Sequence, residues 1–381
     1  MKLCFVTGSR ADYGLLQPVI AMAEADPSFE VQIIASAMHL STEFGMTISE
    51  IEGDGYPVDE KIEMLLSSDT PVGTAKSMGI GVIGFADAFR RLMPEIIVLL
   101  GDRFEALCAA QCALVMGIPI AHISGGDLTY GAFDDSIRHA LTKLSHLHFT
   151  ATEDSARRVK QMGEAADRVF AVGDPGLDRL KRARHMSRER LEQELGIRFF
   201  KYTLLMTFHP ATLDEMPAVD QLNIILQALD RLGEEFGTVI TMPNADPDGR
   251  KLRDVLEKFS ENRERVWSFD SLGSQRYLGM LAECSAVVGN SSSGLLEAPS
   301  FGKPTVNIGT RQDGRERAAS VVDVPIDADI IVRSIRDAVN KDFSGVKNPY
   351  GDGNSATRII SELRRIQKPS ELLHKIFVEI K

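Results

Sequence analysis

An α/β architecture of two Rossmann-like domains is what this sequence predicts, on three observations. Apolar, β-branched runs alternate with longer helical patterns from the first residues onward, the order expected of βαβ units and a parallel sheet. The alternation breaks once, at the strongly charged stretch RLKRARHMSRERLEQELG (179–196), and then starts again. At 381 residues the chain exceeds one ordinary core and fits two. The domains are accordingly drawn at 1–177 and 178–360, with a further helix at 361–381 that either stays with the second or packs back on the first. Two such domains facing each other leave one central cleft, into which strand C-terminal ends point.

Each element has its own warrant. In the first half, strands are expected at LCFVT near the start and at 31–36, 96–100, 118–123, 147–150 and 168–172. IIVLL (96–100) is wholly apolar, as a strand covered on both faces must be. Helical periodicity fills the gaps at 11–25, 42–52, 74–92, 103–116, 134–145 and 153–162. In the second half, strands fall at 202–208, 238–242, 285–289 and 304–308, and helices at 218–235, 248–260, 273–283 and 293–300.

Composition narrows the function classes. Hydrophobic content of 44% and charged content of 25% belong to an ordinary water-soluble protein. MKLCFVTGSRAD carries an arginine and an aspartate within its first dozen residues, so no signal peptide is expected, and no run approaches the ~18 apolar residues of a membrane span. The four cysteines (Cys4, Cys108, Cys112, Cys284) lack CxxC spacing, which fits a reducing cytoplasm. A net charge of −11 argues against nucleic acid as a partner, while leaving room for a small anionic ligand held by local arginines.

Five stretches carry candidate chemistry. TGSRADYG (7–14) follows the first strand, where Rossmann logic places a phosphate; GxGxxG is absent and Arg10 offers a charged planar fork instead, or merely faces solvent beside a capping loop. GNSSSGLLEAPSFGKP (289–304) runs a strand into three serines and a helix, an anion site made of hydroxyls and amides, with Glu297 spaced to accept ribose hydroxyls. A serine N-cap with an exposed glutamate is the plainer reading. LGDRFEA (100–106) puts Asp102 and Arg103 at a strand end, where ligands gather in open sheets and where Asp102 also suits a helix cap. HISGGDLTYGAFDDSIRH (122–139) concentrates histidines, carboxylates and glycines; it lacks zinc-motif spacing, so no metal and no other cofactor is expected, and clustered carboxylates suit proton transfer. TFHPATLD (207–214) adds His209 just past a strand.

Taken together with MPNADP and GTRQDGRE, these motifs occur in the order seen in the UDP-N-acetylglucosamine 2-epimerases, and the chain most resembles their hydrolysing branch, which serves sialic acid and related nonulosonic acid synthesis. The resemblance spans nearly the whole chain. It implies a fold like that of GT-B glycosyltransferases and a UDP-sugar substrate gripped mainly by the second domain. It places Ser291, Ser292 and Arg10 on the diphosphate, Glu297 on the ribose, Tyr277 on uracil, and Asn244 and Arg311 in the same pocket. His209, Asp102 and Asp134, with Asp135 beside the last, match catalytic positions, and Arg103 and Ser124 fall beside the sugar. The implied chemistry removes the C2 proton and expels UDP from C1, giving a glycal that water hydrates with inversion at C2 to release N-acetylmannosamine. Homodimers or homotetramers are common in the family.

One departure stands out. Relatives commonly carry a glutamate two residues after the strand histidine, where this chain has Ser124. A serine is no general base unaided, so Asp127, in the same loop, or the Asp134/Asp135 pair is expected to supply part of that role. The departure also suits a different sugar, UDP-N,N′-diacetylbacillosamine of legionaminic acid synthesis, or a non-catalytic UDP-sugar binding protein.

Overall fold

The computed structural model describes residues 1–68, 70–129, 133–182, 185–209, 216–243, 249–261 and 263–379. Two compact units divide the chain: Met1–Arg179 together with Tyr350–Lys381, and Leu180–Pro349. Each is an α/β unit around one parallel sheet, as expected of Rossmann-like folds.

The first sheet comprises β1 (Lys2–Thr7), β2 (Glu30–Ser36), β3 (Glu60–Ile62), β4 (Ile96–Leu100), β5 (Ile120–Ile123), β6 (Leu147–Thr150) and β7 (Val169–Ala171), in spatial order 3-2-1-4-5-6-7. The second comprises β8 (Tyr202–Thr207), β9 (Phe236–Thr241), β10 (Val266–Phe269), β11 (Ala286–Gly289), β12 (Thr305–Ile308) and β13 (Val321–Val324), ordered 10-9-8-11-12-13. Strand order therefore reverses between β1 and β4 in one unit and between β8 and β11 in the other. Such switch points separate two neighbouring loops and leave room for a ligand at the strand C-termini.

The period of two in the central strands decides which core each residue enters. Leu3, Phe5, Ile96 and Val98 face the helices Arg10–Glu24 and Ser355–Arg364, while Cys4, Val6, Ile97 and Leu99 face the helices Pro71–Leu92 and Phe104–Met116. Burying both faces explains why IIVLL shows no alternation of polarity. The charged stretch lies on two short helices, Gly176–Arg182 and Arg188–Leu195.

Three strands escape the sequence reading, β3, β10 and β13, and all three are edge strands. Edges are short and tolerate charge, as EKI and VVDV show, so they lack the apolar run that marks a central strand. The C-terminal boundary also moves. The return to the first unit begins at Tyr350, and the helix there spans Ser355–Arg364, not 361–381. Buried Asp178 accepts hydrogen bonds from the Ser355 and Ala356 amides at 2.9 and 2.8 Å, and Arg364 pairs with Asp26 at the other end. Beyond a turn at Pro369–Leu373 the chain is held by Lys375, whose ammonium donates to the carbonyls of Lys143 and Ser145.

Candidate functional site

In the first unit the loops after β1, β4 and β5 bring together charged groups. The helix after β4 starts at Phe104, and Arg103 occupies the cap position without capping it. Asp102 is thus no helix cap, correcting that alternative; its carboxylate instead pairs with Arg138 on the helix Phe133–Leu144. Arg138 is 9% exposed and also donates to Thr129 Oγ1 at 2.8 Å. Burial pushes the Asp102 pKa up, Asp134 and Asp127 push the same way, and Arg138 and Arg103 oppose them. A carboxyl so placed is able to exchange a proton nearer neutrality than a solvated one.

Arg103 is held from below. Its Nε donates to Glu105 Oε1 at 2.6 Å and lies 4.0 Å from Asp12. Glu105 is 1% exposed, and a Cβ at Gly8 would sit 2.2 Å from its Oε1, so the glycine of the first motif serves a buried carboxylate. Burial, and then the Glu105 charge, raise the Asp12 pKa to about 6. Ser9 caps the helix Arg10–Glu24 by accepting from the Asp12 amide, and Arg10 stands apart with an exposed side chain 3.7 Å from Glu50.

The loop after β5 is shaped by its backbone. Ser124 adopts φ 63° and donates its amide to Phe149 O at 2.8 Å; Gly126 takes φ 79°, where a Cβ would lie 2.3 Å from Ser155 O. Left-handed φ is strained for serine, and such strain gathers at functional loops. Asp127 accepts from Ser155 Oγ at 2.6 Å. Asp135 accepts from the Thr129 amide at 2.7 Å and sits 3.3 Å from His139, so it braces its own loop, whereas half-buried Asp134 acts on Asp102 and Arg103 through its charge. His122 is fully buried with Nε2 2.7 Å from Gly101 O, and desolvation drives its pKa down to about 3. A carbonyl only accepts, so Nε2 bears the hydrogen and the neutral ring fixes the loop after β4. Among the described residues no three His, Cys, Asp or Glu side chains gather as a metal site.

In the second unit, Asn290 ties the two switch-point loops together. Its Oδ1 accepts from the His209 amide at 2.7 Å and its Nδ2 donates to His209 O at 2.8 Å. Arg311 and Gln312 both donate to Asn290 O, at 3.1 and 2.8 Å. Gly289 takes φ 122°, and a Cβ there would lie 2.0 Å from Thr207 O, so both the backbone angle and the close approach require glycine. The expected helix 293–300 is one turn, Ser293–Leu296, followed by a second turn Ala298–Phe301, since Pro299 cannot continue the hydrogen-bond ladder. The dipole of so short a helix is small, so hydroxyls and amides have to do most of any anion binding. Ser292 sits at the cap without a capping bond, and Ser291 Oγ accepts from the Ser293 amide at 3.4 Å. Tyr277 donates to Ser293 Oγ at 2.7 Å, and Ser293 donates in turn to Glu297. Burial and the Glu297 charge push the Tyr277 pKa up, keeping it a neutral donor. Asn244, the end of TFHPATLD and part of the HISGGDLTYGAFDDSIRH loop (130–132) lie outside the described residues.

Arg138, Glu105, Asp12 and Asn290 were not among the expected site residues. The signal lay within the quoted motifs, but their polar atoms turn inward to hold other groups, a direction that spacing alone does not encode.

Two doubly wound α/β units, each with polar loops at its switch point, define the class of protein. Residues 21–364 match the UDP-N-acetylglucosamine 2-epimerase family, and the chain belongs to it. It is 39% identical over 326 residues (85% of this chain, 84% of the relative) to the GDP/UDP-N,N′-diacetylbacillosamine 2-epimerase (hydrolyzing) of Campylobacter jejuni. It is 34% identical over 374 residues (98% of each) to the UDP-N,N′-diacetylbacillosamine 2-epimerase (hydrolyzing) of Legionella pneumophila. The crystal structure of the Neisseria meningitidis UDP-GlcNAc 2-epimerase bound to UDP-GlcNAc superposes with a TM-score of 0.77 at 20% identity, covering 96% of this chain and 100% of that one. The protein is therefore an enzyme of the hydrolysing 2-epimerase kind.

Proposed function

We propose that the enzyme hydrolyses and epimerises UDP-N,N′-diacetylbacillosamine, releasing UDP and the free C2-epimeric sugar. The two hydrolysing relatives support this sugar over UDP-N-acetylglucosamine, the first expectation. The observation that carries the reaction is the Asp102 carboxyl, raised in pKa among Asp127, Asp134, Arg103 and Arg138 at a strand C-terminus.

The balance is simple. A carboxylate takes the C2 proton while the C1–O bond to UDP breaks, and the C–H electron pair becomes the C1=C2 double bond. Water then gives its hydroxyl to C1, and C2 receives a proton on the opposite face. C2–H is a weak acid, so removal of the proton must be coupled to stabilisation of the leaving diphosphate. We assign the proton steps to Asp102 with Asp127 and Asp134, and an acid role to His209. Asp127 stands in for the carboxylate that Ser124 lacks, while Asp135 acts through the loop it braces. Ser291, Ser292 and Arg10 are assigned to the diphosphate, Glu297 to the ribose, and Tyr277, Asn244 and Arg311 to the uridine pocket.

NMR of the reaction in D₂O with both UDP-sugars tests the reading. We expect UDP-N,N′-diacetylbacillosamine to be consumed, with free UDP and deuterium at C2 of the released sugar. Consumption of UDP-N-acetylglucosamine alone would overturn the substrate, and binding without release of UDP would overturn the reaction.

The four cysteines are free and buried, which supports a reducing cytoplasm. No helix among the described residues is long and apolar enough to cross a membrane. Ile83 (68% exposed) and Val115 (86%), on adjoining outer helices of the first unit, support self-association as a homodimer or homotetramer.

A further inference from the structure

The first unit contains a pocket of about 610 Å³, a size typical of small-molecule sites. Its walls are the segments that follow β2, β3 and β4, so it opens at the C-terminal end of the sheet, where ligands bind in such folds. Arg103, the residue after the proposed base Asp102, is among the residues that line it.

The lining is of mixed chemistry. Met38, Phe44 and Leu66 present apolar surface, and the last two are 44% and 41% exposed. Ser41, Thr42 and Ser67 add hydroxyls that make no side-chain hydrogen bond among the described residues, unlike Ser77, whose Oγ accepts from the Leu66 amide. Arg103 is already oriented, because Glu105, 1% exposed, holds its Nε. Ala37 in the wall is 2% exposed yet adopts φ 49°, a strained conformation for a residue other than glycine, of the kind that persists where function requires it. Glu43 and Glu63 also line the pocket, leaving Arg103 outnumbered, so a second nucleotide diphosphate is poorly served there.

We infer that this pocket is the specificity site for the sugar, taking the acetamido group at C4 and the methyl at C6. The inference rests on the reading above. An acetamido group needs an acceptor for its N–H, a donor for its carbonyl and apolar cover for its methyl. The free hydroxyls, Arg103 and the Met38–Phe44–Leu66 surface supply all three. A 4-hydroxy sugar fills the same space less completely and leaves these groups to water.

The test compares kcat/KM for UDP-N,N′-diacetylbacillosamine and UDP-N-acetylglucosamine in the full-length enzyme and in three variants. Ser41→Leu occupies the pocket, while Thr42→Val and Ser67→Ala each remove one hydroxyl at little or no gain in volume. Wild-type circular dichroism and unfolding temperature mark a variant as folded. We expect the ratio of the two kcat/KM values to fall by about tenfold or more in the filled pocket and by less in each hydroxyl variant. A wild-type preference for the diacetylated sugar that survives unchanged in all three folded variants overturns the pocket assignment alone. A wild-type enzyme that consumes only UDP-N-acetylglucosamine overturns the substrate and the pocket together.

Discussion

Asp102 and Arg138 are a half-buried carboxylate and a nearly buried guanidinium whose pairing sets how readily the carboxyl gives up its proton. Removing the cation leaves burial and the charges of Asp134 and Asp127 unopposed except by Arg103. In Arg138→Gln the acid limb of the kcat/KM profile, where Asp102 must be ionised to act as base, is therefore expected to move to higher pH, lowering activity at neutral pH. A profile whose acid limb stays in place would remove Asp102 from the base role. LGDRFEA identified Asp102 as a candidate from its position at a strand end. Arg138 was visible in DDSIRH only as a charge on a helix, because the pairing is made across 36 residues of chain.

At the scale of elements, the ends of β8 and β11 hold His209 and the Ser291–Ser292 pair, and one side chain joins the two loops. Asn290→Ala would strip partners from both the amide and the carbonyl of buried His209, at about 1–3 kcal/mol for each group left unsatisfied. We expect the urea midpoint for this unit to fall with the slope unchanged, and a substitution without effect there would show that water replaces the asparagine. Central strands were legible because burial on both faces demands apolar residues throughout. Of the four edge strands only β7 was, since half of an edge strand's hydrogen-bonding capacity faces outward and charge is tolerated there. The helix expected at 293–300 failed for another reason: Pro299 interrupts a pattern whose hydrophobic spacing is otherwise helical.

Over the whole molecule, four buried histidines of the first unit, His39, His122, His146 and His148, give a dependence of stability on pH, burial lowering the pKa of each. Burial lowers the pKa of His39 and His146 from 6.5 to about 4 and that of His122 to about 3. Below pH 6.5 the unfolded chain binds protons that the folded one refuses, so this stability is present above that pH and lost as pH falls toward 4. Asp12, raised to about 6, and Asp102, also raised, act in the opposite sense by binding their protons earlier in the fold, but they are two groups against four. The unfolding temperature is expected to drop between pH 6.5 and 4, and the drop should shrink in His39→Gln. A midpoint that rises over this interval would mean that the histidines are hydrated and titrate normally.

The alternation of apolar runs with helical patterns by itself determined the α/β class, the two repeats and the strand ends on which Asp102, His209 and Ser291 sit. These are local consequences of side-chain period and turn chemistry. Only the tertiary structure decided which polar groups oppose one another: Arg138 with Asp102, Glu105 beneath Gly8 and Arg103, Asn290 between two loops, and the pocket behind Arg103. Those contacts join residues far apart in the chain, and their energies depend on burial, which exists only once the sheet and its helices have closed around them.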